Sequence, residues 1–201
     1  VAIRFAALAR WLHIYLSMFG LAAVLFFSVT GVTLNHPTWF SSGAEHTSQS
    51  EGRIDGSWLR SDGATTDPGR QVAKLEIVEY LRKTHSVRGA LVEFRVDEGE
   101  CMVTFKGPGY AADAFINRES GHYNLTQTEH GFLALVNDLH KGRDTGPTWS
   151  VVIDVSAILM TVISLTGLVL LFYLKLRRVA GVIVIVLGTA LLAAAFYFGV
   201  P

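Results

Sequence analysis

Three long apolar runs, almost free of charge, dominate what this chain can become. Ile14–Leu34 contains no charged side chain, Ser150–Leu174 contains only Asp154, and Val179–Val200 contains none. A bilayer core about 30 Å thick takes ~20 apolar residues per helix. Each run is long enough to cross, so the sequence predicts three transmembrane helices. The polar stretch between the first two then becomes one water-soluble domain looped out of the membrane.

Charge placement orients the spans. Net charge is zero, yet every acidic residue except Asp154 lies within 36–148. The basic residues outside that stretch are Arg4, Arg10, Lys175, Arg177 and Arg178. They flank the first span and the turn between the second and third, and short basic loops mark the cytoplasmic side. The expected topology therefore puts the amino terminus inside and the 36–148 region outside. The lipid bilayer is the expected partner, and nucleic acid is not. Cys101 is the single cysteine, so no intramolecular disulfide, CxxC or CxxCH is possible. The sequence therefore gives no support for a thiolate zinc site or a covalently attached haem.

The polar region divides by composition. Residues 37–69, rich in Ser, Gly, Thr and Asp with Pro37 and Pro68, read as an irregular linker. Val72, Leu75, Ile77, Val78 and Leu81 then predict a helix ending near His85. Strand patterns follow at Ala90–Val96, Met102–Lys106 and Ala111–Asn117, with turns at Asp97–Glu100, Lys106–Gly109 and Arg118–Gly121. This is a compact α+β module. From Thr126 to His140 a helical pattern returns, ending at Gly142, and is expected at the outer membrane surface. The predicted organisation is a first transmembrane helix over 1–36, a linker over 37–69, the soluble domain over 70–125, an interfacial helix and connector over 126–147, and a transmembrane hairpin over 148–201.

Histidine placement carries the candidate chemistry. On a straight helix the 23-residue separation of His13 and His36 amounts to about 34 Å, so they fall on opposite faces. His36 and His140 both fall at the outer boundary, on elements expected to be neighbours. Two neutral imidazoles facing across a gap are what an axially bis-ligated haem requires. Trp39, Phe40, Phe132 and Trp149 are placed to wall a porphyrin. His13 continues a face of small residues, Ser17, Gly20, Val24, Ser28 and Gly31. It has no histidine partner on its side; it could pair with His13 of a second protomer, take another ligand, or bind nothing. Asp154, the one acid within a span, either accepts the Nδ1 proton of a ligand histidine or snorkels to the headgroups. His130 lies on the same surface stretch as His140. His46, His85 and His122 read as surface residues. Ser28-Val29-Thr30-Gly31 is echoed by Ser164-Leu165-Thr166-Gly167, where small residues allow either close helix packing or room for a flat cofactor.

Several strings together resemble a known family. Trp11-Leu12-His13 with Gly20, Thr30-Gly31 running into Leu34-Asn35-His36-Pro37, Leu139-His140-Lys141-Gly142-Arg143, and Leu165-Thr166-Gly167-Leu168 resemble the short PepSY-associated transmembrane proteins of bacterial inner membranes. The 70–125 module is similar to a PepSY domain. Longer members of that family include haem-containing reductases that release iron from siderophores on the periplasmic side. The resemblance implies one or two b-type haems and electron transfer across the membrane. By motif it transfers ligand roles to His13, His36 and His140, and by location to His130.

The reading that follows is a membrane electron-transfer protein, with ferric or siderophore reductase activity as one form. A periplasmic acceptor, such as a ferric chelate or a redox protein, would take the electrons. No GxGxxG motif supports a dinucleotide, so an external donor is implied, quinol or a partner reductase. A homodimer would complete a site around His13. A second reading is a cofactor-free, membrane-anchored PepSY module that binds or regulates another protein. A third is metal-ion binding by His36, His130 and His140.

Overall fold

A computed structural model describes residues 2–39, 45–59 and 72–201. Phe40, residues 41–44 and residues 60–69 of the sequence-predicted linker lie outside the described residues. The chain divides into two compact units, 1–26 with 154–201, and 27–153.

The first unit is helical. Helix α1 (Ala2–Phe19) leads into α2 (Leu21–Asn35), which continues into the other unit. Helix α5 (Gly146–Tyr173) enters from that unit, and α6 (Arg178–Gly199) follows. At 28 and 22 residues, α5 and α6 extend about 42 and 33 Å, enough to cross a hydrocarbon core. Their exposed surface carries many large apolar side chains, among them Val151, Ile158, Leu165, Val184, Leu191 and Phe196, which lipid accommodates and water does not. These two helices can span a membrane, and α1 with α2 makes a third span if the bent pair counts as one.

The expected straight first span is bent by 60° at Gly20. Hydrogen bonding continues through the bend, from Gly20 N to Leu16 O (2.8 Å) and from Val24 N to Gly20 O (2.9 Å). Two local causes are visible. Ser17 Oγ bonds the carbonyl of His13 one turn back, a side-chain bond that bends helices. Glycine also leaves α5 close: a Cβ at position 20 would lie 3.3 Å from Ile163 Cδ1 and 3.7 Å from Leu159 Cδ2.

The second unit holds a five-stranded antiparallel sheet in the order β1-β5-β4-β3-β2. The strands are β1 (His46–Arg53), β2 (Ala90–Val96), β3 (Glu100–Gly107), β4 (Tyr110–Asn117) and β5 (His122–Glu129). Helix α3 (Lys74–His85) covers one face. Its Ile77, Val78 and Leu81 bury against Cys101, Val103, Phe105, Ala112, Ala114, Ile116, Tyr123 and Leu125. The alternate burial of Tyr110, Ala112, Ala114 and Ile116 along β4 is the period-two pattern of a strand with one face inward. Burial pushes the Cys101 thiol pKa up, so it behaves as a small apolar core residue.

The helix and three strands follow the sequence pattern. Two strands do not. Residues 46–53, read as irregular, pair with β5 from His46↔Glu129 to Arg53↔His122. Residues 126–129, read as the start of a helix, finish β5 instead. His46–Arg53 contains no apolar side chain and sits at the sheet edge, held by main-chain bonds that composition does not reveal.

Helix α4 (Phe132–Lys141) ends at Gly142 (φ 68°), as the sequence indicates. The β3–β4 turn grips it: Gly109 N donates to Asp138 Oδ2 (3.0 Å), and His130 N donates to Gly109 O (2.8 Å).

Candidate functional site

Two histidines are held by the same local device, one inside each unit. In the helical unit, His13 of α1 points its Nδ1 at the Ile163 carbonyl (3.0 Å) and at Thr166 Oγ1 (3.1 Å), both on α5. Gly167 lies against the ring; a Cβ there would sit 3.1 Å from Cε1. In the sheet-bearing unit, His140 of α4 points its Nδ1 at Thr30 Oγ1 of α2 (2.6 Å). Gly31 lies beside that ring, with a Cβ position 3.7 Å from Cε1. Phe27 meets the His140 ring edge-on at 5.2 Å. Among the described residues neither Nε2 makes a hydrogen bond.

The Thr-Gly echo therefore has a structural use. Each half of the chain supplies a histidine and a Thr-Gly pair, and each histidine docks on the other half's pair. Threonine provides the polar contact to Nδ1, and the glycine beside it keeps the helix surface low enough for an imidazole to lie on it. Nearby, Thr33 Oγ1 bonds Asn137 Oδ1 (2.8 Å), fixing α4 on α2 one turn before His140.

His36 is placed differently. Its amide still bonds Val32 O (3.1 Å), extending the helical pattern one residue past α2. Its ring stacks on Trp39, with centroids 3.7 Å apart and planes 3° apart. Its Nε2 accepts from Asn35 Nδ2 at 3.3 Å. Thr30, where His140 docks, lies six residues earlier, about 9 Å back along the helix and a third of a turn round. His36 and His140 thus share an end of α2 while their rings engage separate partners.

The other candidates scatter. His130 is exposed and lines an open cavity of about 300 Å³ with Gly109 and Leu135. Asp154 is exposed and makes no hydrogen bond or ion pair among the described residues; the Nδ1 contact suggested for it is made by Thr30 for His140 and by Thr166 for His13. Trp149 donates from Nε1 to Leu139 O (2.8 Å), bracing the end of α4, and Phe132 is largely exposed. Among the described residues no three His, Cys, Asp or Glu side chains form a metal cluster, so His36, His130 and His140 do not assemble one in this arrangement. His46 and His122 are exposed. His85 is not simply a surface residue: its Nε2 lies 2.6 Å from the hydroxyl of Tyr123. That phenol is buried, which pushes its pKa up to about 12.

An imidazole whose Nδ1 is engaged and whose Nε2 is free is the donor arrangement of an iron-ligating histidine. His13 and His140 fit it. His36 fits it less directly, since the Asn35 amide occupies its Nε2.

The sequence profile of the PepSY_TM-like family matches residues 7–198. Comparison with curated proteins and with solved structures finds no match.

Proposed function

The chain belongs to the PepSY_TM-like family, and on that footing we propose that it is a b-type haem electron-transfer protein of the bacterial inner membrane. In this reading α1 with α2, α5 and α6 are three spans, the amino terminus is cytoplasmic and the sheet domain periplasmic. The basic residues Arg4, Arg10, Lys175, Arg177 and Arg178 support that orientation.

The single observation that carries the proposal is the pair of His-on-Thr-Gly contacts. Holding an imidazole with a hydrogen bond to one nitrogen orients the ring and raises the basicity of the other. A threonine next to a glycine, twice, on partner helices (Thr30 buried, Thr166 half-buried), serves an imidazole better than it serves helix packing alone. A b-type haem, when bound, supplies a one-electron centre whose iron is held by imidazole nitrogen. His140 and His13 are the proposed holding residues at two separate sites. His36 is the candidate second ligand at the His140 end, on turning away from Trp39. His130 is retained by location only. Donor and acceptor follow the same reading: a quinol or partner reductase, and a periplasmic ferric chelate or redox protein.

The stacking of His36 on Trp39 favours a second reading, a cofactor-free anchored module, because it ties that ring to its own chain. Absorbance separates the two. Purified protein should show a Soret band and a pyridine haemochrome of the b type, and His140→Ala should lose the signal of one site. Protein purified from haem-replete cells with neither band refutes the proposal.

A further inference from the structure

His13 is held by an atom that has no proton to give. Its Nδ1 lies 3.0 Å from the Ile163 carbonyl oxygen, which can only accept. The second contact, Thr166 Oγ1 at 3.1 Å, works in the same sense. Thr166 Oγ1 has carbonyl acceptors in its own helix for its one proton, Val162 O at 2.8 Å and Ile163 O at 2.9 Å. Thr166 therefore meets the ring with a lone pair. Two acceptors converge on Nδ1, so Nδ1 carries the proton, and in the neutral ring the lone pair resides on Nε2.

We infer that Thr166 and the Ile163 carbonyl are a positioning pair that holds His13 in its Nδ1–H form and presents Nε2 as the ligating atom for an iron centre. The inference rests on the haem reading only for what Nε2 binds. The geometry of Gly167 supports it. A Cβ at that position would stand 3.1 Å from His13 Cε1 and 3.6 Å from Nδ1, so a larger residue would lift the ring off both acceptors. His140 gives the contrast. Its Nδ1 meets a hydroxyl, Thr30 Oγ1, which can donate or accept, so its tautomer is not dictated in the same way.

The test uses the full chain in lipid nanodiscs, with 15N-labelled histidine and no added haem. The His13 signals are identified by their loss in His13→Gln. The expected spectrum has a protonated Nδ1 and a pyridine-type Nε2 at His13 at pH 8. An Nε2–H ring, or a doubly protonated one, overturns the inference. Thr166→Val keeps the volume and the Ile163 carbonyl but removes the hydroxyl. It should weaken binding of haem b by ~10-fold, the scale of outer-sphere partners of metal-bound histidines, and Thr166→Ser should restore it to within ~2-fold. Unchanged affinity in Thr166→Val overturns the role given to Thr166. A chain that binds no haem yet keeps Nδ1–H at His13 sinks the functional proposal and leaves the positioning pair standing. Haem binding alongside an Nε2–H ring does the reverse.

Discussion

Gly109→Ala should release α4 from the sheet, and the size of the effect can be worked from the turn geometry. Gly109 has φ +64°, a left-handed conformation that costs an alanine roughly 1 kcal/mol more than glycine. The added methyl would lie 3.1 Å from Leu135 Cβ, 3.2 Å from its Cα and 3.3 Å from its N. Two of those are backbone atoms of α4, so no rotamer change relieves the contact. The turn and the helix must separate, which weakens the 3.0 Å bond from Gly109 N to Asp138 Oδ2. A half-broken bond to a charged acceptor loses on the order of 1 kcal/mol. The total, roughly 2 kcal/mol, is about 30-fold in a local opening constant. Amide hydrogen exchange on the full chain in nanodiscs reads this directly. Peptides covering the β3–β4 turn and α4 should exchange about 30-fold faster, while α3 keeps its protection. Gly99→Ala is the control, because a Cβ there meets nothing within 4 Å. It should move stability by no more than about 0.5 kcal/mol. Equal acceleration in both variants, or none in Gly109→Ala, would show that the turn does not hold α4. The point matters because α4 carries Asn137 and His140, so the grip on Gly109 ties the sheet to one imidazole site.

Two further outcomes are expected. Thr30→Val removes the 2.6 Å partner of His140 Nδ1 and should cost about 1–3 kcal/mol of local stability at the end of α4, read as lost exchange protection there; Thr30→Ser should retain most of it. The buried Tyr123 phenol has its pKa pushed up to about 12 from 10, chiefly by burial and next by the Tyr80 hydroxyl. Because the folded value is the higher one, the neutral phenol's contribution is complete below pH 10 and is lost as pH rises toward 12. Stability of the sheet domain should fall across that window, and Tyr123→Phe should flatten the fall; a slope unchanged by the substitution would contradict the assignment.

What could be read early and what could not follow from how each interaction is encoded. Helix α3 and strands β2, β3 and β4 announce themselves because one face of each is apolar at the right period, as with Ile77, Val78 and Leu81 or with Ala112, Ala114 and Ile116. Strand β1 could not be recognised that way, since His46–Arg53 buries no apolar side chain and is defined by its pairing to β5. The histidines stood out by type and position, and the Thr-Gly echo was visible as a repeat. Which ring met which pair was not visible, because a hydrogen bond between His140 and Thr30 joins residues 110 positions apart.

Hydropathy, the absence of charge and the scarcity of cysteine settle, from sequence alone, that this chain has membrane-length apolar helices around a polar domain. Those properties are sums over a segment and do not depend on its neighbours. Tertiary structure decided the rest: the bend at Gly20, the edge strand at 46–53, the stacking of His36 on Trp39, and the crossed docking of His13 on Thr166 and His140 on Thr30. Each of these depends on a distance between atoms remote in the chain, and such distances exist only once the helices and strands have packed.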